Sequence, residues 1–176
     1  MSEPNWAVVD ATVEDCAREL FETYGLDVGR VDGPMGPLQG EGYLAVLGFS
    51  GDEFRGTLAI SAAFETIRST NIISASPTES MDRDWIGELS NQMLGRIKNK
   101  LLKFGATIQL STPMVFTGRN IRSRCAGAKD CRTVSFDSPR GSIVVWMEGE
   151  FQPGFELEEQ LELVDVSEEE GTFLFF

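Results

Sequence analysis

Apolar positions along the chain follow two rhythms. Between Trp6 and Tyr24 they recur every three or four residues, at Val9, Val13, Cys16, Leu20 and Tyr24, which predicts an amphipathic helix stopped by Gly25. The same spacing returns more strongly from Trp85 to Phe104, where Ile86, Leu89, Met93, Ile97, Leu101 and Phe104 share one arc and Leu94 lies at its margin. A shorter helix is expected over 62–72.

Elsewhere the pattern is that of strands. "GYLAVLGFSG" (42–51) and "FRGTLAIS" (54–61), separated by Asp52-Glu53, predict a hairpin. After Gly105 come "TIQLSTPMVFTG", "CRTVSFD", "GSIVVWMEGE" and a weaker "FELEEQLELV" with the terminal "TFLFF", and Pro139-Arg140-Gly141 supplies a turn. Residues 28–42 hold five glycines and two prolines and read as a loop or irregular edge; 74–84 reads as a loop whose acidic end suits the start of the next helix. With 176 residues, the chain is expected to form one α+β domain over 1–176, a mainly antiparallel sheet with two or three helices packed on it. An acidic C-terminal extension begins near residue 155, and its run "EEQLELVDVSEEE" reads as a solvated edge.

Charge narrows the choice of partners. Lys and Arg number 15 against 28 Asp and Glu, a formal net charge of −13, which argues against general affinity for nucleic acid or anionic lipid. The segment holding Arg119, Arg122, Arg124, Lys129 and Arg132 is a local exception that fits a docking surface or a strand edge protected by cations. The N-terminal residues lack a basic, apolar leader pattern, and no run reaches the roughly 18 apolar residues of a membrane span, so a cytoplasmic location is the default expectation.

The chain contains no histidine, which excludes a Ser-His-Asp or Cys-His site, an HExxH zinc site and a histidine base. Cys16, Cys125 and Cys131 show no CxxC spacing and are expected as three reduced thiols, although Cys125 and Cys131 could meet across a turn.

Candidate chemistry concentrates in the helix "GELSNQMLG", Gly87 to Gly95. Glu88 and Asn91, three residues and so about 60° apart, fall opposite the apolar arc and present their polar heads together. Gly95 follows one turn on and Gly87 borders the same face. Each glycine within a helix costs about 0.8–1.0 kcal/mol relative to alanine, so two of them suggest a surface that another macromolecule approaches closely; the alternative is close packing of a neighbouring element. An isolated E-x-x-N is weak evidence. Here it is the single instance in the chain and lies on the polar face of a strongly amphipathic helix.

"DWIGELSNQMLGRIKNKL" (84–101) resembles the signature helix of the CheC/CheX/FliY family of chemotaxis phosphatases, in which an E-[apolar]-x-N-x-x-x-G core recurs and is filled here by Glu88, Leu89, Asn91 and Gly95. The hairpin and "ATVEDCARELFETYG" resemble further parts of that family, so the likeness spans about residues 5 to 118 and is most specific over 84–101. The expected 62–72 helix has no second E-x-x-N, which points to the single-site, CheX-like branch, for which the resemblance implies a homodimer. It also implies a substrate: the aspartyl phosphate of a CheY-like receiver domain in chemotaxis or another two-component pathway. Asn91 would hold the attacking water, Glu88 would pair with a receiver lysine, and Gly87, Gln92 and Gly95 would face the partner. No cofactor of the chain's own is implied, since the receiver supplies Mg2+.

Two other readings stand beside this one. The same fold family includes flagellar switch components that dock proteins without hydrolysis, so the chain could be a non-catalytic receiver- or switch-binding module. A small-molecule enzyme using Glu88 as a base is the third, weakened because an exposed glutamate lacks the burial that would raise its pKa.

Overall fold

A computed structural model describes residues 3–32, 40–72, 76–121 and 131–159. Cys125, the cations Arg122, Arg124 and Lys129, most of the acidic extension and the expected strand at "TFLFF" lie outside the described residues. Helix α1 (Glu3–Thr23) is followed by strands β1 (Gly29–Val31), β2 (Glu41–Ser50) and β3 (Phe54–Ala63), helices α2 (Phe64–Thr70) and α3 (Glu79–Leu102), and strands β4 (Gln109–Leu110), β5 (Met114–Arg119), β6 (Cys131–Asp137) and β7 (Ile143–Phe151). The seven strands form one antiparallel sheet in the order β1-β6-β7-β3-β2-β4, with β5 also paired to β2. The expected α+β architecture is the one observed.

Alternation turns Tyr43, Ala45, Leu47 and Phe49 of β2, Leu58 and Ile60 of β3, and Ile143, Val145 and Met147 of β7 to one face. Helices α1 and α3 cover that face, and their apolar stripes join it in a single core. Both helices end alike. Leu26 N–H donates to Phe21 O (3.0 Å) and Ala106 N–H to Leu101 O (3.2 Å), around Gly25 (φ 73°) and Gly105 (φ 84°). A side chain is strained in that left-handed backbone, which is why glycine marks both stops.

Several boundaries differ from the sequence reading, each for a local reason. Helix α3 begins at Glu79, inside the stretch expected as a loop. Thr78 caps it by accepting from Met81 N–H at 3.3 Å, and Asp82 turns inward instead of toward solvent. That carboxylate is fully buried and satisfied: Oδ2 accepts from Arg68 Nε (3.1 Å) and Nη2 (3.0 Å), and Oδ1 from Asn71 Nδ2 (3.3 Å). The pairing fastens α2 to the first turn of α3, and Trp85 Nε1–H, donating to Thr70 Oγ1 at 3.0 Å, repeats the link one turn later.

The expected strand "TIQLSTPMVFTG" is two strands, because Pro113 has no N–H to donate and the ladder breaks before it. Both halves pair with β2, and Ser111 bridges the break by exchanging hydrogen bonds with Gly48, each at 2.9 Å. Within the expected irregular stretch 28–42, β1 pairs with β6 at the sheet edge. Residues 155–159 are not a strand. Asn5 holds them against α1, donating to Phe155 O (2.9 Å) and accepting from Leu157 N–H (2.8 Å).

The expectation of three reduced thiols does not hold. Cys16 is free and buried, whereas Cys131 is disulfide-bonded. Among the described residues no helix is long and apolar enough to cross a membrane.

Candidate functional site

Helix α3 buries more of its circumference than its apolar residues alone indicate. Ile86, Leu89, Met93, Ile97 and Leu101 are buried as expected, but so are Leu94, Trp85, Ser90 and Gly87. Phe104 lies past the helix end. The arc is wide because α3 is packed on two sides: α1 flanks one, and β2 with β5 the other. What remains is a strip on which Asp84 is exposed and Glu88, Asn91 and Gly95 are half-buried. Glu88 and Asn91 therefore share a face as the spacing indicates, with their β-carbons about 5–6 Å apart.

The two glycines differ. Gly87 is buried under β5, so it does not belong to the open strip; a β-carbon there would meet Val115 Cγ2 at 3.5 Å and Pro113 Cγ at 3.7 Å, which is ordinary contact. Around Gly95 a β-carbon would find nothing within 4 Å among the described residues. Packing among the described residues gives no reason for glycine at position 95, and the bare backbone beside Asn91 leaves room for a close approach from outside.

Gln92 has a place that spacing within α3 could not reveal. Tyr24, the first residue beyond α1, donates its hydroxyl to Gln92 Oε1 at 2.7 Å, and Gln92 Nε2 donates to Glu88 Oε1 at 2.9 Å. Both ends of the carboxamide are thus engaged within the chain. The contact joins residues 68 apart in sequence, and the only sequence signal at Tyr24 was its apolar phase in α1.

The sequence profile of the family described as "Chemotaxis phosphatase CheX" matches residues 43–137, more than half of the chain and including the whole of α3. The chain belongs to the CheX family. No curated protein matches it in sequence. Among solved structures it is similar to the chemotaxis protein CheX from Vibrio vulnificus, with 18% identity, a TM-score of 0.71 and coverage of 81% of this chain and 96% of that one. A CheC-like superfamily protein from Shewanella sp. PV-4 shows 21% identity and a TM-score of 0.70, covering 85% and 99%. A chain in the crystal structure of the CheX–CheY–BeF3–Mg2+ complex from Borrelia burgdorferi gives 13% identity, a TM-score of 0.59 and coverage of 83% and 97%. At these identities the likeness is one of fold.

In this CheX-family chain the strip offers a carboxylate, a carboxamide and a bare helical backbone on successive turns. It can place a water molecule, donate and accept hydrogen bonds, and pair with a cation on another molecule.

Proposed function

We propose that this CheX-family chain hydrolyses the aspartyl phosphate of a CheY-like receiver domain, with α3 as the surface that docks on the receiver. The observation that carries the proposal is the strip of Glu88, Asn91 and Gly95 on one face of α3, with open space around Gly95. Membership of a family described as chemotaxis phosphatases supports the reaction class, and the structure of a CheX–CheY–BeF3–Mg2+ complex supports a receiver as partner.

Phosphoryl transfer needs positioning of the nucleophile and stabilisation of spreading charge more than covalent help from the catalyst. A magnesium ion carried by the receiver supplies charge stabilisation. The Asn91 carboxamide, which donates and accepts without a charge that would repel the phosphoryl group, holds water in line for attack. Glu88 pairs with a receiver lysine and fixes the two proteins in register. Gly95 lets the receiver backbone close on the helix.

The test is loss of phosphoryl label from CheY-like receivers in magnesium buffer, with the wild-type chain and with Asn91→Ala at matched concentration. Acceleration that disappears in the variant supports the proposal. If no receiver is dephosphorylated faster and binding survives Asn91→Ala, the chain is a docking module of the same fold.

A further inference from the structure

We infer that Tyr24 is a positioning residue for Glu88, acting through Gln92. The inference rests on the reading of Glu88 as the receiver-facing carboxylate, and adds to that site a residue from the turn that closes α1.

The direction of the hydrogen-bonded chain is fixed by its chemistry. Glu88 is an acceptor, so Gln92 must turn its Nε2 toward Glu88 Oε1 (2.9 Å), which leaves Oε1 of the amide facing the Tyr24 hydroxyl (2.7 Å). Reversing the amide would set two acceptors against each other. The tyrosine is itself held at both ends of its ring. Its edge-to-face contact with Trp85 has a centroid distance of 4.9 Å and an interplanar angle of 85°, and the indole is tied to Thr70. Its backbone sits in the turn that closes α1, where Tyr24 N–H donates to Phe21 O at 3.1 Å.

A glutamate on a helix surface ordinarily samples many rotamers, and a partner that captures one of them must restrict the rest. Here the tyrosine locks the amide and the amide restrains the carboxylate before any partner arrives. Removing the hydroxyl leaves Gln92 free to rotate, so Glu88 loses its restraint while its charge stays. The consequence falls on binding of the receiver, not on the water held by Asn91.

The experiment compares Tyr24→Phe, Gln92→Met, Glu88→Ala and the double variant Tyr24→Phe/Glu88→Ala. The probe is a purified CheY receiver domain carrying beryllofluoride and magnesium, and two readouts are taken. The first is Kd, expected to rise about two- to tenfold in Tyr24→Phe, the range of one hydrogen bond, with no further rise when Tyr24→Phe is added to Glu88→Ala. The second needs no receiver: 15N relaxation of the Gln92 side-chain amide, ordered in the wild-type chain and mobile in Tyr24→Phe. Gln92→Met must match Tyr24→Phe in Kd. Equal loss in the Glu88→Ala background would show that Tyr24 acts through general packing and would overturn the inference, as would a Gln92 amide equally mobile with and without the hydroxyl. A wild-type chain that binds no receiver removes the functional reading, and the amide readout then decides the positioning by itself.

Discussion

Glu88 and Asn91 stand one turn apart on the same half-buried strip of α3, and only Glu88 is tied by the Gln92 amide. The two side chains are therefore expected to fail differently when removed. Asn91→Ala should lower the dephosphorylation rate at saturating receiver by about a hundredfold, the scale of lost positioning, with little change in affinity. Glu88→Ala should weaken binding about tenfold or more, as expected for a close charge pair across an interface, and flatten its salt dependence. Single-turnover rates measured against receiver concentration separate the two. An Asn91→Ala variant that binds poorly yet turns over normally once bound would contradict these roles.

Gly95 gives a prediction in which stability and function part company. A β-carbon there meets nothing within 4 Å among the described residues. Gly95→Ala should therefore raise stability by about 0.8–1.0 kcal/mol through helix propensity, or about 2–4 °C in Tm for a chain of this size. Receiver-directed activity should fall at the same time, and further with Gly95→Leu. Thermal melts and label-loss assays on the same samples suffice as a check. Full activity in Gly95→Leu would mean that no partner approaches this turn.

Much of this architecture was legible because it follows from period and punctuation. The α1 and α3 stripes, the β2-β3 hairpin and the glycine stops at 25 and 105 each depend on local pattern, and the shared face of Glu88, Asn91 and Gly95 follows from helical phase, while their roles were read from the family resemblance. The misplaced parts depend on contacts remote in sequence. The first turn and a half of α3 looked like loop because Asp82 is polar, and only its pairing with Arg68 and Asn71 makes it an interior residue. Gly87 read as open because nothing in α3 announces that β5 will cover it. The tie of Gln92 to Tyr24 stayed hidden because the tyrosine lies 68 residues away, in the turn that closes α1.

Gly149 and Gly56 are register partners on β7 and β3, and the space they leave is filled by an aromatic cluster. Phe54 stacks on Phe151 with centroids 4.1 Å apart and meets Trp6 edge-on at 5.9 Å. A β-carbon at Gly149 would come within 2.6 Å of Phe54 Cε2 and 2.8 Å of Arg55 O. The backbone atom cannot move aside without disturbing the ladder, so Gly149→Ala should cost about 1–3 kcal/mol. The urea midpoint reports this directly. An unchanged midpoint would show that the aromatic cluster is far more compliant than its packing suggests.

Cys16 carries the pH prediction. Burial against the core pushes its thiol up from 9.0 to about 12, with Lys100 and Arg96 opposing and Glu19 and Asp15 adding to the rise. The folded chain therefore keeps a proton on this sulfur that the unfolded chain releases above about pH 9. The stability associated with the protonated thiol is fully present below pH 9.0 and is lost as pH rises toward about 12. Replacement by alanine removes that dependence and leaves a small cavity in its place. At about pH 8 Cys16→Ala should be the less stable protein, and by about pH 11 its deficit should have shrunk by on the order of 2 kcal/mol. Urea midpoints of both proteins across that range test the sign. Alkylation supplies an independent check: at about pH 8 the Cys16 peptide should react with iodoacetamide no faster than the chain unfolds, because the reactive thiolate is scarce and shielded in the folded state. A deficit that stays constant with pH, or rapid labelling of the native chain, would place this sulfur nearer to water than its burial implies.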